Sequence, residues 1–199
     1  MSACESKPDL TWQAFKRGSR EAFEAIYREN IRDLLIYGYK VTSDKRLIED
    51  SVQDLFVELW KNRAGLSDTT SIRFYLFKAL RYKIVRNARI DSDRHLVESD
   101  SAGTFMEGSH ESYLIGLEVQ SDQMANLREL VAALPPRQQE AINLRYYHNF
   151  SNEEIARIME VNYQSACKFI YSGLKNLKAN LKISITSWLF AIFFLQQMD

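Results

Sequence analysis

Six basic residues and two tyrosines stand close together in one stretch of the sequence, from Ser71 to Ile90, that contains no acidic residue. The basic residues are Arg73, Lys78, Arg81, Lys83, Arg86 and Arg89. An unpaired nucleic-acid strand is bound by cations that follow its phosphates and by rings that stack on its bases, at roughly 1–3 kcal/mol for each stacked base. The stretch therefore indicates binding of a single strand. The alternative is that the tyrosines cover a hydrophobic core and the charges face solvent.

The spacing of these residues predicts the element that carries them. The apolar residues that recur at helical intervals are Phe74, Phe77, Leu80 and Ile84. A second line, at spacings of three, four, four and three, holds Tyr75, Lys78, Tyr82, Arg86 and Arg89. The stretch therefore predicts a helix with a buried apolar side and a second side of cations and rings.

A pair of helix signals lies in the last third of the chain. Ser151 followed by Glu154 is a capping box, which predicts a short helix over about residues 152–159. Residues 160–162 leave room for a three-residue turn, and Asn162 is a favourable N-cap for a second helix. Two helices joined by so tight a turn predict a helix-turn-helix, the motif that places its second helix in the major groove of DNA.

The second helix of this pair has two distinct sides. Its apolar stripe consists of Ala166, Ile170, Leu174, Leu177 and Leu181. Its outer face, which holds no acidic residue, consists of Gln164, Ser165, Lys168, Tyr171, Ser172 and Lys175. This polar and basic face suits base edges and phosphates. The alternative is an ordinary helical hairpin with a solvated face.

An acidic and amide-bearing ridge marks another helix, predicted from about Lys45 to Asn62. Its buried side is predicted to hold Ile48, Val52, Leu55, Phe56 and Leu59. The opposite side holds Glu49, Gln53, Asp54, Val57 and Glu58. Such a ridge is either solvated surface or a contact for a protein partner, and the residues alone leave both interpretations open.

Composition and charge distribution predict the fold class. With 7 Gly, 3 Pro and almost no alternating apolar segments, the chain is expected to be all-α. The 26 basic and 26 acidic residues balance, but residues 1–90 hold 17 basic against 12 acidic, residues 91–133 hold 2 against 9, and residues 134–182 hold 7 against 4. Two basic blocks around an acidic one predict two small helical domains joined by a flexible acidic linker over residues 91–116.

The second domain is expected to open with a helix from about Ser121 that Pro135 and Pro136 end. Pro136 then serves as the first residue of a helix that continues through Arg145. After this domain, residues 183–195 are almost wholly apolar, yet these 13 residues are too few to span a bilayer. This apolar tail either packs on the second domain, lies at a membrane interface or binds a partner.

Signals of catalysis or of a metal site are missing from the sequence. It has no Gly-rich phosphate loop and no nucleophile-base pair, and His95 and His110 lack metal-ligand spacing. Cys4 and Cys167 lie far apart, and no N-terminal apolar run resembles a signal peptide. We therefore expect a non-enzymatic cytoplasmic protein without cofactor, metal or small-molecule substrate. Cys167 is interpreted as a small half-buried residue, with a redox sensor as the alternative.

These motifs, in this order, resemble the sigma-70 family of bacterial transcription initiation factors, in the small extracytoplasmic-function group that keeps only family regions 2 and 4. The family segment that binds the β′ subunit of RNA polymerase core is similar to EDSVQDLFVELW, residues 49–60. The part that reads and opens the −10 promoter element is similar to SIRFYLFKALRYKIVRNAR, residues 71–89. Region 4, which reads the −35 element, is similar to residues 134–181. The chain also resembles members from Bacteroidetes bacteria.

The resemblance implies a set of residues for each contact. Those for polymerase core are Gln53, Asp54 and Glu58. Those for the −10 strand are Tyr75, Lys78, Arg81, Tyr82, Lys83, Arg86 and Asn87. Those for the −35 groove are Gln164, Ser165, Lys168 and Ser172. Many relatives have Gly where this chain has Glu160, and often Arg where it has Cys167 and Lys168, so the base preference at −35 stays open.

The resemblance also implies the layout and the partners of the chain. Region 2 would cover residues 10–90, the linker residues 91–116, region 4 residues 117–182 and the apolar tail residues 183–199. The expected function is that of a sigma factor, with RNA polymerase core (its β′ and β subunits), promoter DNA and an anti-sigma factor as partners. The alternative is a helix-turn-helix regulator that acts without binding polymerase core.

Overall fold

The computed structural model describes the backbone of residues 10–98 and 129–196, and the side chains of residues 10–90 and 129–180. Four sequence predictions lie outside the described residues: the linker beyond residue 98, the helix start at Ser121, and the surroundings of Cys4 and His110. All regular secondary structure in the described ranges is helical, which confirms the all-α fold. The chain divides into two compact units, one containing the first four helices and the other most of the remaining ones.

The first unit is built from four helices. They are α1 (Leu10–Lys16), α2 (Arg20–Val41), α3 (Lys45–Asn62) and α4 (Ile72–Glu98), with a 3-10 turn at Arg63–Gly65 between the last two. The bounds predicted for α3 are confirmed. α2, α3 and α4 pack against one another, and α1 packs against α2.

Side-chain caps fix where these helices begin. The Ser19 hydroxyl accepts a hydrogen bond from the Ala22 amide at 3.1 Å, ahead of α2. The Asp44 carboxylate accepts one from the Leu47 amide at 3.0 Å, ahead of α3. Ser71 does the same for α4 at 3.1 Å. Each cap satisfies an amide that has no partner within its helix, typically worth about 1 kcal/mol.

The core of the first unit lies between α2, α3 and α4. The side of α3 that was predicted to be buried is buried at all five positions. α2 comes close to α3 at Gly38, where a Cβ would lie 2.5 Å from Ile48 Cγ2. Because only glycine fits there, this residue sets the distance between the two helices.

The second unit contains the predicted helix-turn-helix. Residues 129–132 are helical. After them come α5 (Pro136–Ile142), a π-helical turn (Asn143–Tyr147), α6 (Asn152–Ile158) and α7 (Tyr163–Gln196). Pro136 is the first residue of α5, as predicted. The predicted continuation of this helix through Arg145 takes the wider π form.

Packing in the second unit joins α5 to α7. Leu134, Ile142 and Leu177 form a buried cluster, with Leu130 and Val131 packed against it. At Gly173 a Cβ would lie 2.5 Å from Ile142 Cδ1, so the two helices approach each other closely. This packing fixes the position of α7 relative to α5 at Gly173 and Leu177.

Residues 91–98 correct one prediction. They were expected to begin a flexible linker, but they continue α4 as helix. They contain no Gly or Pro, so no residue of this segment breaks the helix. The backbone of residues 183–195 likewise continues α7, and the predicted contacts of their side chains lie outside the described residues. Within the described part of the chain, no helix is both long and apolar enough to cross a membrane.

Candidate nucleic-acid interface

A cleft lies between α3 and α4. Its lining is formed by Leu55, Glu58, Leu59, Asn62, Leu66, Tyr75, Ala79, Tyr82, Lys83 and Arg86. Two of these side chains are tyrosine rings and two are cations, and they stand beside an apolar floor. A base that leaves its duplex needs a ring or an apolar surface for its face and a cation for its phosphate. The composition of the cleft therefore fits a segment of unpaired strand.

The predicted outer side of α4 is exposed at four of its five positions, and Tyr75 is the exception. Lys78, Arg86 and Arg89 are exposed, and Tyr82 is 53% exposed. Tyr75 is half-buried, and its ring centroid lies 5.2 Å from that of Trp12. Burial raises the pKa of the Tyr75 hydroxyl above its ordinary value, with a smaller contribution from Glu58. Tyr75 is therefore a neutral ring at the edge of the cleft.

Two further residues predicted for the −10 strand are held by α3. Lys83 Nζ lies 2.6 Å from Glu58 Oε1, and the lysine side chain is only 15% exposed. Asn87 Nδ2 donates to Ser51 Oγ at 3.4 Å. Contact of either residue with DNA therefore requires exchange or sharing of its bond to α3.

Arg81 is a correction to the predicted strand-binding set. The residue is only 3% exposed, so its guanidinium does not face a strand bound on the outer side of α4. The sequence contains the reason: Arg81 lies four residues after Phe77 and three before Ile84, both of them buried. Arg81 was assigned from the family resemblance, whereas the helical register places it on the inner side.

The ridge of α3 is exposed at every position predicted for it. Gln53, Asp54 and Glu58 are exposed, as are Glu49 and Val57. Val57 is 49% exposed in the middle of these polar groups. An exposed apolar side chain surrounded by carboxylates is compatible with a polar protein contact that has a small apolar centre.

The caps predicted for the helix-turn-helix are formed. The Ser151 amide donates to Glu154 Oε2 at 2.8 Å, and the Glu154 amide donates to Ser151 Oγ at 3.2 Å. Asn162 Oδ1 accepts from the Ser165 amide at 2.7 Å, ahead of α7. Glu160 has a φ of 53°, in the left-handed region that favours glycine. That conformation explains why glycine suits this position of the turn.

The outer face of α7 is largely open to solvent. Gln164, Lys168 and Lys175 are exposed, Tyr171 is 69% exposed, and Ser165 and Ser172 are partly buried.

The predicted buried stripe of α7 is wrong at Leu174, which is 40% exposed. Gly173 is buried in its place, because the close approach of α5 leaves no room for a larger residue. Ala166, Ile170 and Leu177 are buried as predicted, and Leu181 lies outside the described side chains.

A cluster that the sequence reasoning missed lies where α6 meets α7. Asn152 Nδ2 donates to Cys167 Sγ at 3.4 Å. A hydrogen bond with the Cys167 thiol raises the pKa of the Tyr163 hydroxyl, and Asn152 acts in the opposite direction. Cys167 is half-buried, as interpreted from the sequence. The spacing of four residues between Tyr163 and Cys167 predicts their proximity on one helix, but only the fold brings Asn152 to them.

Metal ligation has no candidate within the described ranges. No group of three or more His, Cys, Asp or Glu residues lies close enough there to hold an ion.

Two family models match the chain. The model of sigma-70 region 2 matches residues 26–94, and the model of sigma-70 region 4 matches residues 124–177. Together they cover more than half of the chain. The first covers α3, most of α4 and all residues that line the cleft, and the second covers α5, α6 and the first part of α7.

The curated relatives that the chain resembles include RNA polymerase sigma factors. The chain is 24% identical to the RNA polymerase sigma factor YlaC of Bacillus subtilis, over 81% of this chain and 93% of that protein. It is 21% identical to the ECF RNA polymerase sigma factor SigM of the same organism, over 78% of this chain and 93% of that protein. These relatives do not test the resemblance to Bacteroidetes members.

Solved structures share the fold. The sigma factor RpoE, in a complex with the anti-sigma factor NepR from Bartonella quintana, covers 82% of this chain and 98% of its own at 21% identity and a TM-score of 0.61. CnrH, in complex with the cytosolic domain of CnrY, covers 87% of this chain and 96% of its own at 17% identity and a TM-score of 0.57.

Proposed function

Because the chain belongs to the sigma-70 family of RNA polymerase sigma factors, in its extracytoplasmic-function group, we propose which of its residues contact polymerase and promoter DNA. Its function is to bind RNA polymerase core and direct promoter-specific initiation. The sigma-70 family is not a class of enzymes. The chain itself is proposed to have no catalytic activity and to act in the cytoplasm, where it meets polymerase and promoter DNA.

The two units are proposed to bind different promoter elements. Residues 10–90 bind core and melt the −10 element, and residues 117–182 hold the −35 duplex. The linker of residues 91–116 connects them, and α4 extends helically into it as far as Glu98. The order of the region 2 and region 4 matches along the chain supports this division.

Polymerase core is proposed to contact the ridge of α3 through Gln53, Asp54 and Glu58. The exposure of all three side chains supports this assignment. The opposite side of α3 is fully committed to the core of the unit. A substitution on the ridge therefore changes the surface without changing the packing.

The −10 strand is proposed to lie along the outer side of α4 and in the cleft. Tyr82, Lys78 and Arg86 reach it directly, because these three side chains are exposed. Tyr75, Lys83 and Asn87 contribute from the wall of the cleft and the adjoining part of α4. Arg81 is left out of this set because it is buried.

The −35 duplex is proposed to receive the first turns of α7, through Gln164, Ser165, Lys168 and Ser172. Well-placed contacts of such side chains with base edges are each worth about 1–3 kcal/mol, in addition to a salt-dependent phosphate contribution. Cys167 lies among these residues and is held by Asn152. One recognition helix alone supplies modest affinity.

Tethering makes the two weak DNA contacts useful together, because binding of one unit raises the effective concentration of the other. The formal net charge of zero gives the free chain little general attraction for DNA. Delivery by polymerase is therefore proposed to be needed for promoter binding.

An anti-sigma factor is proposed to hold the chain inactive. RpoE and CnrH, whose fold it shares, were each solved in complex with another protein, which for RpoE is the anti-sigma factor NepR. The apolar tail of residues 183–195 is a candidate contact for such a partner.

The observation that carries the proposed function is the exposed row of cations and rings on α4 beside the exposed acidic ridge of α3. Co-purification with polymerase core tests it. We expect the chain to bind core with a stoichiometry of one and to retard promoter DNA only in that complex. The helix-turn-helix regulator would be favoured instead if the chain fails to bind core and binds palindromic DNA on its own.

A further inference from the structure

α1 lies wholly outside the segment that matches the region 2 model, which begins at residue 26. It nevertheless contacts the loop of residues 66–70, which connects the 3-10 turn to α4. This loop contributes Leu66 to the lining of the cleft. α1 is therefore joined to the wall of the proposed strand-binding site.

Three side chains of α1 donate hydrogen bonds to this loop. Trp12 Nε1 donates to the Ser67 carbonyl at 3.0 Å. Gln13 Nε2 and Lys16 Nζ both donate to Asp68 Oδ1, at 2.8 and 2.6 Å. These partners are more than 50 residues apart in the sequence, so the bonds are tertiary tethers.

A loop without such tethers samples many backbone conformations, and fixing each of its residues costs roughly 1–2 kcal/mol of conformational entropy. Within the loop, Thr69 Oγ1 donates to the Ser71 carbonyl and accepts from the Ser71 amide. These local bonds order the end of the loop that leads into α4. The bonds from α1 order its middle, at Ser67 and Asp68.

Trp12 also reaches the opposite wall of the cleft. Its side chain is fully buried, and its ring centroid lies 5.2 Å from that of Tyr75 at the start of α4. The same indole therefore holds the loop through its N–H and packs against the Tyr75 ring in a tilted arrangement. Trp12 therefore contacts two parts of the cleft surroundings, the loop at Ser67 and the ring of Tyr75.

Charge adds a second effect. The Asp68 side chain is 62% exposed, whereas that of Lys16 is 21% exposed. A free carboxylate on this loop would repel the phosphates of an approaching strand. The ammonium group of Lys16 offsets that charge.

From these contacts we propose that α1 is a positioning element for promoter melting: Trp12, Gln13 and Lys16 hold the loop of residues 66–70 so that the cleft accepts the unpaired strand. This inference rests on the proposed role of α4 and the cleft in strand binding. α1 does not contact the strand itself.

The test uses the complex of the full chain with polymerase core on a template selected from a randomised promoter library with the unaltered protein. Permanganate reactivity of thymines measures the open complex, and filter binding at low temperature measures the closed complex. The variants are Lys16→Glu, Asp68→Lys, the double exchange of both, and Trp12→Phe. Arg17→Glu, an exposed basic residue next to Lys16, is the matched control.

We expect each single exchange to lower the open fraction about three- to fivefold, as for loss of a short ion pair, while closed-complex binding and the thermal midpoint stay unchanged. The double exchange restores the open fraction, because the pair forms again with reversed charges. Trp12→Phe keeps a ring and loses the N–H, so its open fraction falls as in the single exchanges, and its thermal midpoint falls as well because the smaller ring leaves a buried site underfilled.

Open fractions equal to that of the unaltered protein in all exchanges would overturn the inference. So would a double exchange that is as defective as its parents, because that result indicates direct contact of Lys16 with DNA. If Trp12→Phe does not fold, the variants of the Lys16–Asp68 ion pair decide the test. Tyr82→Ala is measured in parallel. If this variant and the α1 variants all melt the promoter normally, the proposed strand-binding role of α4 is contradicted. If only Tyr82→Ala is defective, the role of α1 alone is contradicted.

Discussion

Lys83 Nζ lies 2.6 Å from Glu58 Oε1, so an ion pair joins the helix that carries the proposed DNA contacts to the helix that carries the proposed polymerase contacts. Both residues line the cleft between α3 and α4. Glu58 was assigned to polymerase from the family resemblance, yet in the free chain its carboxylate neutralises a cation that the strand needs. The pair therefore limits how strongly the free protein attracts DNA.

Opposite effects are expected from removing either member of this pair. Glu58→Gln frees the charge of Lys83, so the complex formed at saturating polymerase core binds single-stranded −10 DNA more tightly. Its plot of log affinity against log salt also steepens by about 0.7, the value for one added phosphate contact on a single strand. Lys83→Ala leaves Glu58 without its cation and weakens binding.

Fluorescence anisotropy of a labelled oligonucleotide over a series of salt concentrations measures both changes. Glu49→Gln, which removes an exposed carboxylate of α3 that pairs with Lys45 instead, is the control and should leave affinity unchanged. A loss of affinity in both Glu58→Gln and Lys83→Ala would contradict this account of the pair.

Asp54→Ala is expected to weaken binding to polymerase core by roughly 1–2 kcal/mol, or about tenfold, as for an interface residue of intermediate importance. Asp54 is exposed on α3, so the thermal midpoint should not change. A pull-down of core at several protein concentrations gives the affinity. Glu29→Ala, on the exposed side of α2, is the matched control, and equal affinities for both variants would remove the ridge from the polymerase contact.

Gly38→Ala is expected to destabilise the first unit. The added Cβ would lie 2.5 Å from Ile48 Cγ2, and Ile48 is fully buried. Overpacking of this kind costs about 1–3 kcal/mol, which outweighs the gain of about 1 kcal/mol from alanine in a helix. Urea denaturation measures the free energy of unfolding. Gly65→Ala, where a Cβ meets nothing within 4 Å, should be neutral, and an equal loss in both variants would argue against the close helix contact.

Acid is expected to release the loop that α1 holds. Hydrogen bonds from Lys16, and then from Gln13, lower the pKa of Asp68 below its ordinary value. A carboxyl group whose pKa is lower in the folded than in the unfolded chain stabilises the fold above the unfolded-state pKa. That contribution is lost as the pH falls through the folded-state pKa.

The hydrogen bonds from Lys16 and Gln13 to Asp68 should therefore be intact at neutral pH and weaken only at pH values below the usual aspartate range. Carbon-detected NMR titration of the Asp68 carboxyl checks this. In Lys16→Ala its pKa should return towards the ordinary value, and identical titration curves in the two proteins would show that the bond to Lys16 is absent in solution.

Local signals made much of the fold predictable. The caps at Ser151 and Asn162 act over three residues, so the sequence contains both partners and the helix-turn-helix follows from them. The buried side of α3 was likewise predictable, because one helical period sorts its apolar residues without help from neighbours.

Contacts between distant segments were not predictable in the same way. The exposure of Leu174 depends on how closely α5 approaches Gly173, and the hydrogen bond from Trp12 to the Ser67 carbonyl joins residues 55 positions apart. The burial of Arg81 is a different case, since its helical register already indicated the inner side of α4. Helical register was a better guide to its burial than the family resemblance.

Run-off transcription with purified polymerase core, this chain and a library of randomised promoter templates tests the central claim most directly. We expect the recovered templates to share two short elements at a fixed spacing, and Tyr82→Ala to lose open complexes on them while keeping most closed-complex binding. The central claim would be contradicted if the templates are transcribed no better with the chain present than with polymerase core alone. Equal loss of closed and open complexes in Tyr82→Ala would contradict the melting role of α4.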